Sequence, residues 1–240
     1  MATAGVGPDI ANEIGPGGLR AHRSWTPLAR ALAATGDRWT LMIVLQLAPG
    51  KLRLSQLQSS LPGISTGVLE RYIQQMISSG LATRTRFKEM PPRVELELTE
   101  AGHELLPLVG ELARWGLRHM WSPPTERERT DVGCLLRLLP ILLEEKAASL
   151  PSGSLEAVAT HPGPHLRYTL LTKDGRVHIS DGLCDGAAAR IEGSHKAWVA
   201  ALGTHGDYAK LRFTGDEQHA RGILDAVHDC SSSRRTIPSS

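Results

Sequence analysis

Gly63-Ile64-Ser65-Thr66-Gly67 has the GxSxG pattern of a nucleophile elbow, in which a serine on a strained strand-to-helix turn attacks an acyl carbon. That geometry needs a strand ahead of the serine, whereas helical spacing and Pro62 precede it here, so Ser65 reads as the cap of a helix. His161 and His165 stand four apart, the spacing of two metal ligands on one helix face. The intervening Pro162-Gly163-Pro164 forbids that helix, and no cysteine or acidic cluster lies close enough in sequence to complete a site. Neither GxGxxG after a strand nor a GxxxxGK phosphate loop occurs, so no cofactor has an evident seat and no metal is expected. Cys134, Cys184 and Cys230 are odd in number, widely spaced and without a CxxC pair, which fits reduced thiols rather than a disulfide framework or zinc ribbon. Enzymatic chemistry is therefore not expected.

A more coherent set of side chains follows Ser65. Leu69, Ile73, Met76 and Ile77 fall on one face of a helix that Ser65 caps and Gly80 stops. Thr66, Gly67, Glu70, Arg71, Gln74 and Gln75 are left on the outward side. Gln and Arg can make bidentate contacts to base edges, each worth about 1 to 3 kcal/mol of discrimination. A solvated helix face is the plain alternative, but the period changes to two immediately afterwards. Leu81–Phe87 and Arg93–Leu98 read as strands joined by Lys88-Glu89-Met90-Pro91-Pro92, a basic hairpin tip stiffened by proline. Between Asp37 and Arg93 eight bases face three acids, a net +5, while from Pro123 onward 14 bases face 15 acids. One half of the chain carries the charge suited to a polyanion; the other does not.

Other elements must hold that helix and hairpin in place. Leu28, Ala31 and Leu32 after Pro27 predict a first helix ended by Gly36. Trp39, Met42, Ile43, Leu45 and Leu47 predict a second, closed by Pro49-Gly50, and Leu54, Leu57 and Leu61 a third with Ser55 near its start. Thr99-Glu100-Ala101-Gly102 opens a long amphipathic helix through Leu105, Leu108, Leu112 and Trp115 to about Trp121. Two short helices joined by a tight turn, with a basic hairpin behind the second, form a winged helix-turn-helix: the helix reads the major groove and the hairpin grips phosphates.

These residues resemble the HxlR-type bacterial transcriptional regulators. The resemblance rests on Leu28-Ala29-Arg30-Ala31-Leu32, Gly36-Asp37-Arg38-Trp39-Thr40-Leu41, Leu61-Pro62-Gly63-Ile64-Ser65, and above all Pro91-Pro92-Arg93-Val94 with Leu98-Thr99-Glu100-Ala101-Gly102. It spans about residues 25 to 121 and implies a winged-helix homodimer on double-stranded operator DNA, paired mainly through terminal helices. DNA contacts are then expected from Arg53, Ser55, Ser65, Thr66, Arg71, Gln74, Gln75, Lys88 and Arg93, and a dimer interface or core role from Leu105, Leu108, Leu112 and Trp115. Many such regulators carry a sensing cysteine at the start of the first helix; Thr26 stands here, so thiol sensing at that site does not carry over. Gly67 and Tyr72 replace residues that are often basic, which shifts the expected burden of DNA contact to Arg71 and the wing.

Composition is that of an ordinary soluble chain: 240 residues, 41% hydrophobic and 22% charged. No apolar run of about 18 residues and no signal-like start is present, so a cytoplasmic protein with no membrane contact is expected. Gly- and Pro-rich residues 1–23 read as a disordered lead-in and 231–240 as a similar tail. Ser122-Pro123-Pro124-Thr125 marks the best boundary, giving a winged-helix domain over 24–122, a linker over 123–131 and a second domain over 132–230. That second domain opens with an apolar helix from about Val132 to Leu150, with Pro140 as a kink candidate. Strands follow over Leu155–Thr160, Leu166–Thr172, Arg176–Ser180, Ala187–Glu192 and Lys210–Thr214, with helices over Ser194–Leu202 and Asp216–Asp229. Asp174-Gly175 is a strong hairpin turn. The sum is an α+β meander of antiparallel strands with helices on one face.

Arg190-Ile191-Glu192-Gly193-Ser194, Trp198, Leu202-Gly203 and Leu211-Arg212-Phe213-Thr214-Gly215-Asp216 resemble the sterol-carrier-protein-like fold across about 130 to 230. That resemblance implies a cavity for an apolar or amphipathic small molecule, hence an effector domain appended to a DNA reader. Tyr168, Trp198 and Phe213 are candidates to line it, or else plain core, as large aromatics at such spacing usually are. Two alternatives stand beside this reading: a small-molecule or lipid carrier whose winged helix serves only dimerisation, and a constitutive regulator whose second domain is structural.

Overall fold

The computed structural model describes residues 26–87, 93–125, 128, 130–160, 165–203 and 205–232, leaving aside the side chains of 230–232. The expected lead-in over 1–23, the hairpin tip with Lys88, His161 and nearly all of the expected tail lie outside the described residues. The chain divides at Gly36 into two compact units. In the first, helix α1 (Pro27–Thr35) has Pro27 in its first turn, where a missing N–H costs nothing, and Thr26 as cap, its Oγ1 accepting from the Ala29 N–H at 2.9 Å.

The second unit, from Asp37 onward, begins with α2 (Arg38–Leu47), β1 (Leu52–Arg53), α3 (Leu54–Ser60) and α4 (Thr66–Ser78). The hairpin β2 (Ala82–Phe87) and β3 (Arg93–Leu98) follows, pairing antiparallel from Ala82↔Leu98 to Phe87↔Arg93. β1 adds a third strand through Leu52↔Leu96 and Arg53↔Glu95. Ile43, Val44, Leu57, Leu69, Ile73, Met76 and Leu96 form the buried centre of this region.

The long helix expected from Thr99 to about Trp121 is two helices, α5 (Glu100–His103) and α6 (Leu106–His119). Pro107 favours the break: with no N–H and a ring that crowds the carbonyl four residues back, it sits in the first turn of the new helix, where its missing donor costs nothing.

α7 (Val132–Leu143) carries Pro140 and passes into a 3₁₀ turn over Glu144–Ser149. Then come β4 (Gly153–Thr160), β5 (Leu166–Lys173), β6 (Arg176–Asp181), β7 (Ala189–Ser194), α8 (His195–Leu202), β8 (Arg212–Gly215) and α9 (Glu217–Ser232). The Asp174-Gly175 turn has the expected positive φ at both residues, 52° and 69°.

The all-antiparallel meander is not what forms. Strand order is β6-β5-β4-β7-β8, and β7 lies parallel to β4 through Leu155↔Ala189 to Thr160↔Ser194. After edge strand β6 the chain crosses back past β5 and β4 over residues 182–188 before it pairs again. Hydrogen bonds fix this crossing: the Gly182 N–H donates to the Arg167 carbonyl at 2.8 Å, Thr169 Oγ1 to the Gly182 carbonyl at 3.0 Å, and the Ala188 N–H to Ser154 Oγ at 3.4 Å. Leu155, Ala157 and Ala159 share a second apolar core with Leu136, Leu139, Trp198 and Ile223. Among the described residues no helix is long and apolar enough to cross a membrane.

Candidate nucleic-acid interface

The turn between α3 and α4 sets the exposed helix. Gly63 takes φ 94°, a conformation open to glycine, Ile64 plugs the core at 5% exposure, and the Gln58 side-chain amide donates to the Ile64 carbonyl. Ser65 Oγ accepts from the Val68 N–H at 3.4 Å. The residues ahead of it are a helix and a turn, so Ser65 is a cap and the elbow geometry is absent.

On α4, Leu69, Tyr72, Ile73 and Met76 are buried, while Thr66, Gly67, Glu70, Arg71, Gln74 and Gln75 are exposed along with Ser65. Tyr72, read from sequence as a lost DNA contact, points inward at 4% exposure and donates its hydroxyl to Asp37 Oδ2 at 2.6 Å. Asp37 Oδ1 accepts from the Trp39 N–H at 3.0 Å, so one carboxylate caps α2 and pins α4. Burial pushes the Asp37 carboxyl up, but the bonds from Trp39 and Tyr72 and the charges of Arg38 and Arg71 outweigh it and hold it below its ordinary value. Burial, with the Asp37 contact, pushes the Tyr72 phenol up. Sequence reasoning missed this Asp37–Tyr72 tie; Tyr72 lying beside Ile73 between Leu69 and Met76 was the available hint.

Arg53 precedes α3 with its N–H donating to Gln56 Oε1 at 2.8 Å, and both Arg53 and Ser55 are exposed. On the wing, Arg93 lies over the Phe87 ring at 4.3 Å with its Nε 3.4 Å from Glu95, while Lys51 meets Glu97 at 3.3 Å. Arg86, absent from the expected contact set, is exposed on β2, and its place in the basic hairpin could have marked it. Lys88 lies outside the described residues.

α6 presents Leu108, Leu112 and Trp115 at 51%, 53% and 50% exposure, whereas Leu105 packs against the first core. Its opposite side is tied to α7. Any Cβ on Gly110 would sit 2.6 Å from Ile141 Cγ2, and buried Arg114 donates to the Ile141 and Leu142 carbonyls at 3.0 and 3.2 Å and to Glu111 at 3.0 Å. Those carbonyls belong to the last turn of α7, where a helix leaves acceptors unsatisfied.

The three aromatics expected to line a cavity belong to the second core. Trp198 is 1% exposed with its indole N–H donating to the Val158 carbonyl at 3.0 Å; Tyr168 is buried beneath Arg137; Phe213 packs on the core under Arg221. Cys134 and Cys184 are free thiols, and burial followed by the nearby Asp131 charge pushes the Cys134 thiol up to about 12, which keeps it protonated and unreactive.

Residues 34–123 match the family model described as HxlR-like helix-turn-helix. An uncharacterized HTH-type transcriptional regulator of Methanothermobacter thermautotrophicus is 37% identical over 86 residues, which are 36% of this chain and span 66% of that protein. The uncharacterized HTH-type transcriptional regulator YvaP of Bacillus subtilis is 32% identical over 96 residues, 40% of this chain and 87% of YvaP. Among solved structures, the reduced form of the transcriptional regulator YodB from Bacillus subtilis is 25% identical with a TM-score of 0.37, covering 40% of this chain and 95% of that one. The family match stops at residue 123, ahead of α7.

Proposed function

Because the chain belongs to the HxlR-like helix-turn-helix family, we propose that it is a ligand-responsive transcriptional regulator that binds double-stranded operator DNA as a homodimer. The observation that carries this reading is the division of α4: one face locked into the core and to Asp37, the other an exposed row of Thr66, Arg71, Gln74 and Gln75. A helix held that rigidly can read base edges in the major groove. Arg53 and Ser55 ahead of it, and Arg86, Lys88 and Arg93 on the wing, would supply phosphate contacts that position without reading sequence.

Two copies joined through Leu108, Leu112 and Trp115 would place two α4 helices on half-sites of a pseudo-palindrome. Residues 24–122 then act as the DNA-binding and dimerisation region, 123–131 as the linker and 132–230 as the effector region. An effector works only by binding one spacing of the recognition helices better than another.

Duplexes selected from a random pool test this reading. Affinity for a selected duplex should fall steeply and linearly in log–log form as salt rises, and cell-extract metabolites should shift it. Salt-independent or absent duplex binding would remove the regulator reading and leave a carrier in its place.

A further inference from the structure

A cleft of about 330 Å³ lies within the second unit between the C-terminal half of α6 and helices α7, α8 and α9. Ala113, Gly116 and Leu117 form the α6 wall, leucines of α7 face them, and Met120, Trp121 and Ser122 follow where α6 ends. Its shape comes from two clamps. At one end Gly110 and Arg114 draw α6 onto α7. At the other, Trp121 lies so close over Gly203 that a Cβ there would sit 2.4 Å from the ring. Between them Gly116 contributes no side chain, and a Cβ added to it meets nothing within 4 Å.

We propose that this cleft is the effector site, and that its ligand is a small, neutral, mainly apolar molecule carrying a ring. The volume falls at the lower end of small-molecule sites, about 300 to 1,000 Å³. Among the described residues no lining side chain is charged, so an ionised ligand would be desolvated with no partner among them, whereas the Ser122 hydroxyl can satisfy one polar atom. The Trp121 indole and the Met120 thioether favour a flat ring. The word effector rests on the regulator reading; the site itself rests on the geometry. That geometry also supplies a route: a molecule against Ala113, Gly116 and Leu117 bears on the same helix that carries Leu108, Leu112 and Trp115 on its exposed side.

The full chain is titrated with the neutral dye N-phenyl-1-naphthylamine, whose emission rises in apolar surroundings, alongside Gly116→Leu and Gly222→Leu. Both glycines sit inside helices with open space at their Cβ positions, but only Gly116 lines the cleft. Both leucine variants should fold, since leucine is the better helix former. Saturable uptake of one dye per chain is expected, weakened at least about tenfold by Gly116→Leu and less than about twofold by Gly222→Leu. Equal affinity in all three proteins overturns the site. So does a lack of saturable uptake by the unmodified chain, the outcome if residues 1–25 or a second copy fill the cleft. Dye uptake needs no duplex: a chain that shows the expected pattern yet binds no DNA upholds the site and refutes the regulator reading alone.

Discussion

The Asp37–Tyr72 tie makes a quantitative prediction about how α4 is held. Asp37 Oδ1 caps α2 through the Trp39 N–H, and Oδ2 accepts the Tyr72 hydroxyl at 2.6 Å. Losing an N-cap costs about 1 kcal/mol, and a hydrogen bond to a charged group is worth about 1.5 to 3 kcal/mol. Tyr72→Phe removes only the second and should cost about 1.5 kcal/mol, because water can reach the half-buried carboxylate. Asp37→Ala removes both and strands a hydroxyl that is 4% exposed, for about 3 kcal/mol. In a Tyr72→Phe background the same Asp37→Ala change should cost only the cap, about 1 kcal/mol, giving a coupling near 2 kcal/mol. Urea unfolding of the four proteins measures it, and a coupling below about 0.5 kcal/mol would refute the tie. Asp37→Asn keeps a capping carbonyl while removing the charge. The Asp37 carboxyl lies below its ordinary value in the folded chain, so its contribution is full above about pH 4 and is lost as pH falls through the folded value. The stability gap between the unmodified chain and Asp37→Asn should therefore close in acid; a gap that widens below about pH 4 has the wrong sign. Tyr72→Phe should also weaken operator binding, although the buried ring cannot touch DNA.

Other consequences can be measured separately. Arg86→Ala or Arg93→Ala should lower affinity for every duplex alike and reduce the salt slope by about one, whereas Gln74→Ala should relax preference at one base pair; equal losses for Gln74→Ala across all operator variants would deny it a reading role. Leu112→Asp should yield monomers by sedimentation with folding stability within about 0.5 kcal/mol, since that side chain is half exposed; an unchanged dimer would show that the pairing surface lies elsewhere. Arg114→Met should cost about 2 to 4 kcal/mol because the Ile141 and Leu142 carbonyls lose their donor, and a loss under about 0.5 kcal/mol in thermal or urea unfolding would mean that the α6–α7 clamp does not hold.

How much of this the sequence disclosed depends on how local each cause is. The two faces of α4 were legible because 3.6-residue spacing fixes which side chains meet the core, and Asp174-Gly175 because its backbone preference is set within two residues. β1 was not: two residues become a strand only by pairing with Leu96 and Glu95, far along the chain. Parallel pairing of β4 with β7 was hidden for the same reason, since alternation shows which face is buried but not which strand lies alongside. The break before α6 had a local signal in Pro107, a residue favoured in the first turn of a helix, although Pro140 within α7 shows that proline alone does not decide such a break. Tyr72 misled in a different way. Judged by what stands there in similar regulators it was a missing contact; judged by its neighbours Leu69, Ile73 and Met76 it belonged to the core.

α7 shows why a boundary in sequence need not separate one core from another. Pro123-Pro124 marks where the chain leaves α6, yet α7 beyond it faces both ways. Ile141 is buried in the first core, with Cys134 and Leu138 packed against it, while Val132, Leu136, Leu139, Leu142 and Leu143 lie in the second. A helix that is apolar on nearly every side cannot be satisfied by one partner, and the run from Val132 to Leu143, with Arg137 as its sole charge, announced that need. Midway along α7, Arg137 pairs with Asp181 at 2.8 Å on the sheet side, while the carbonyls at the helix end accept from Arg114 of α6. The middle and the C-terminal end of α7 are therefore bonded to different regions of the unit, and a shift of α7 against α6 must be felt in both cores at once. Because the cleft is walled by both α6 and α7, a molecule that parts them there would press on a helix shared by the two cores.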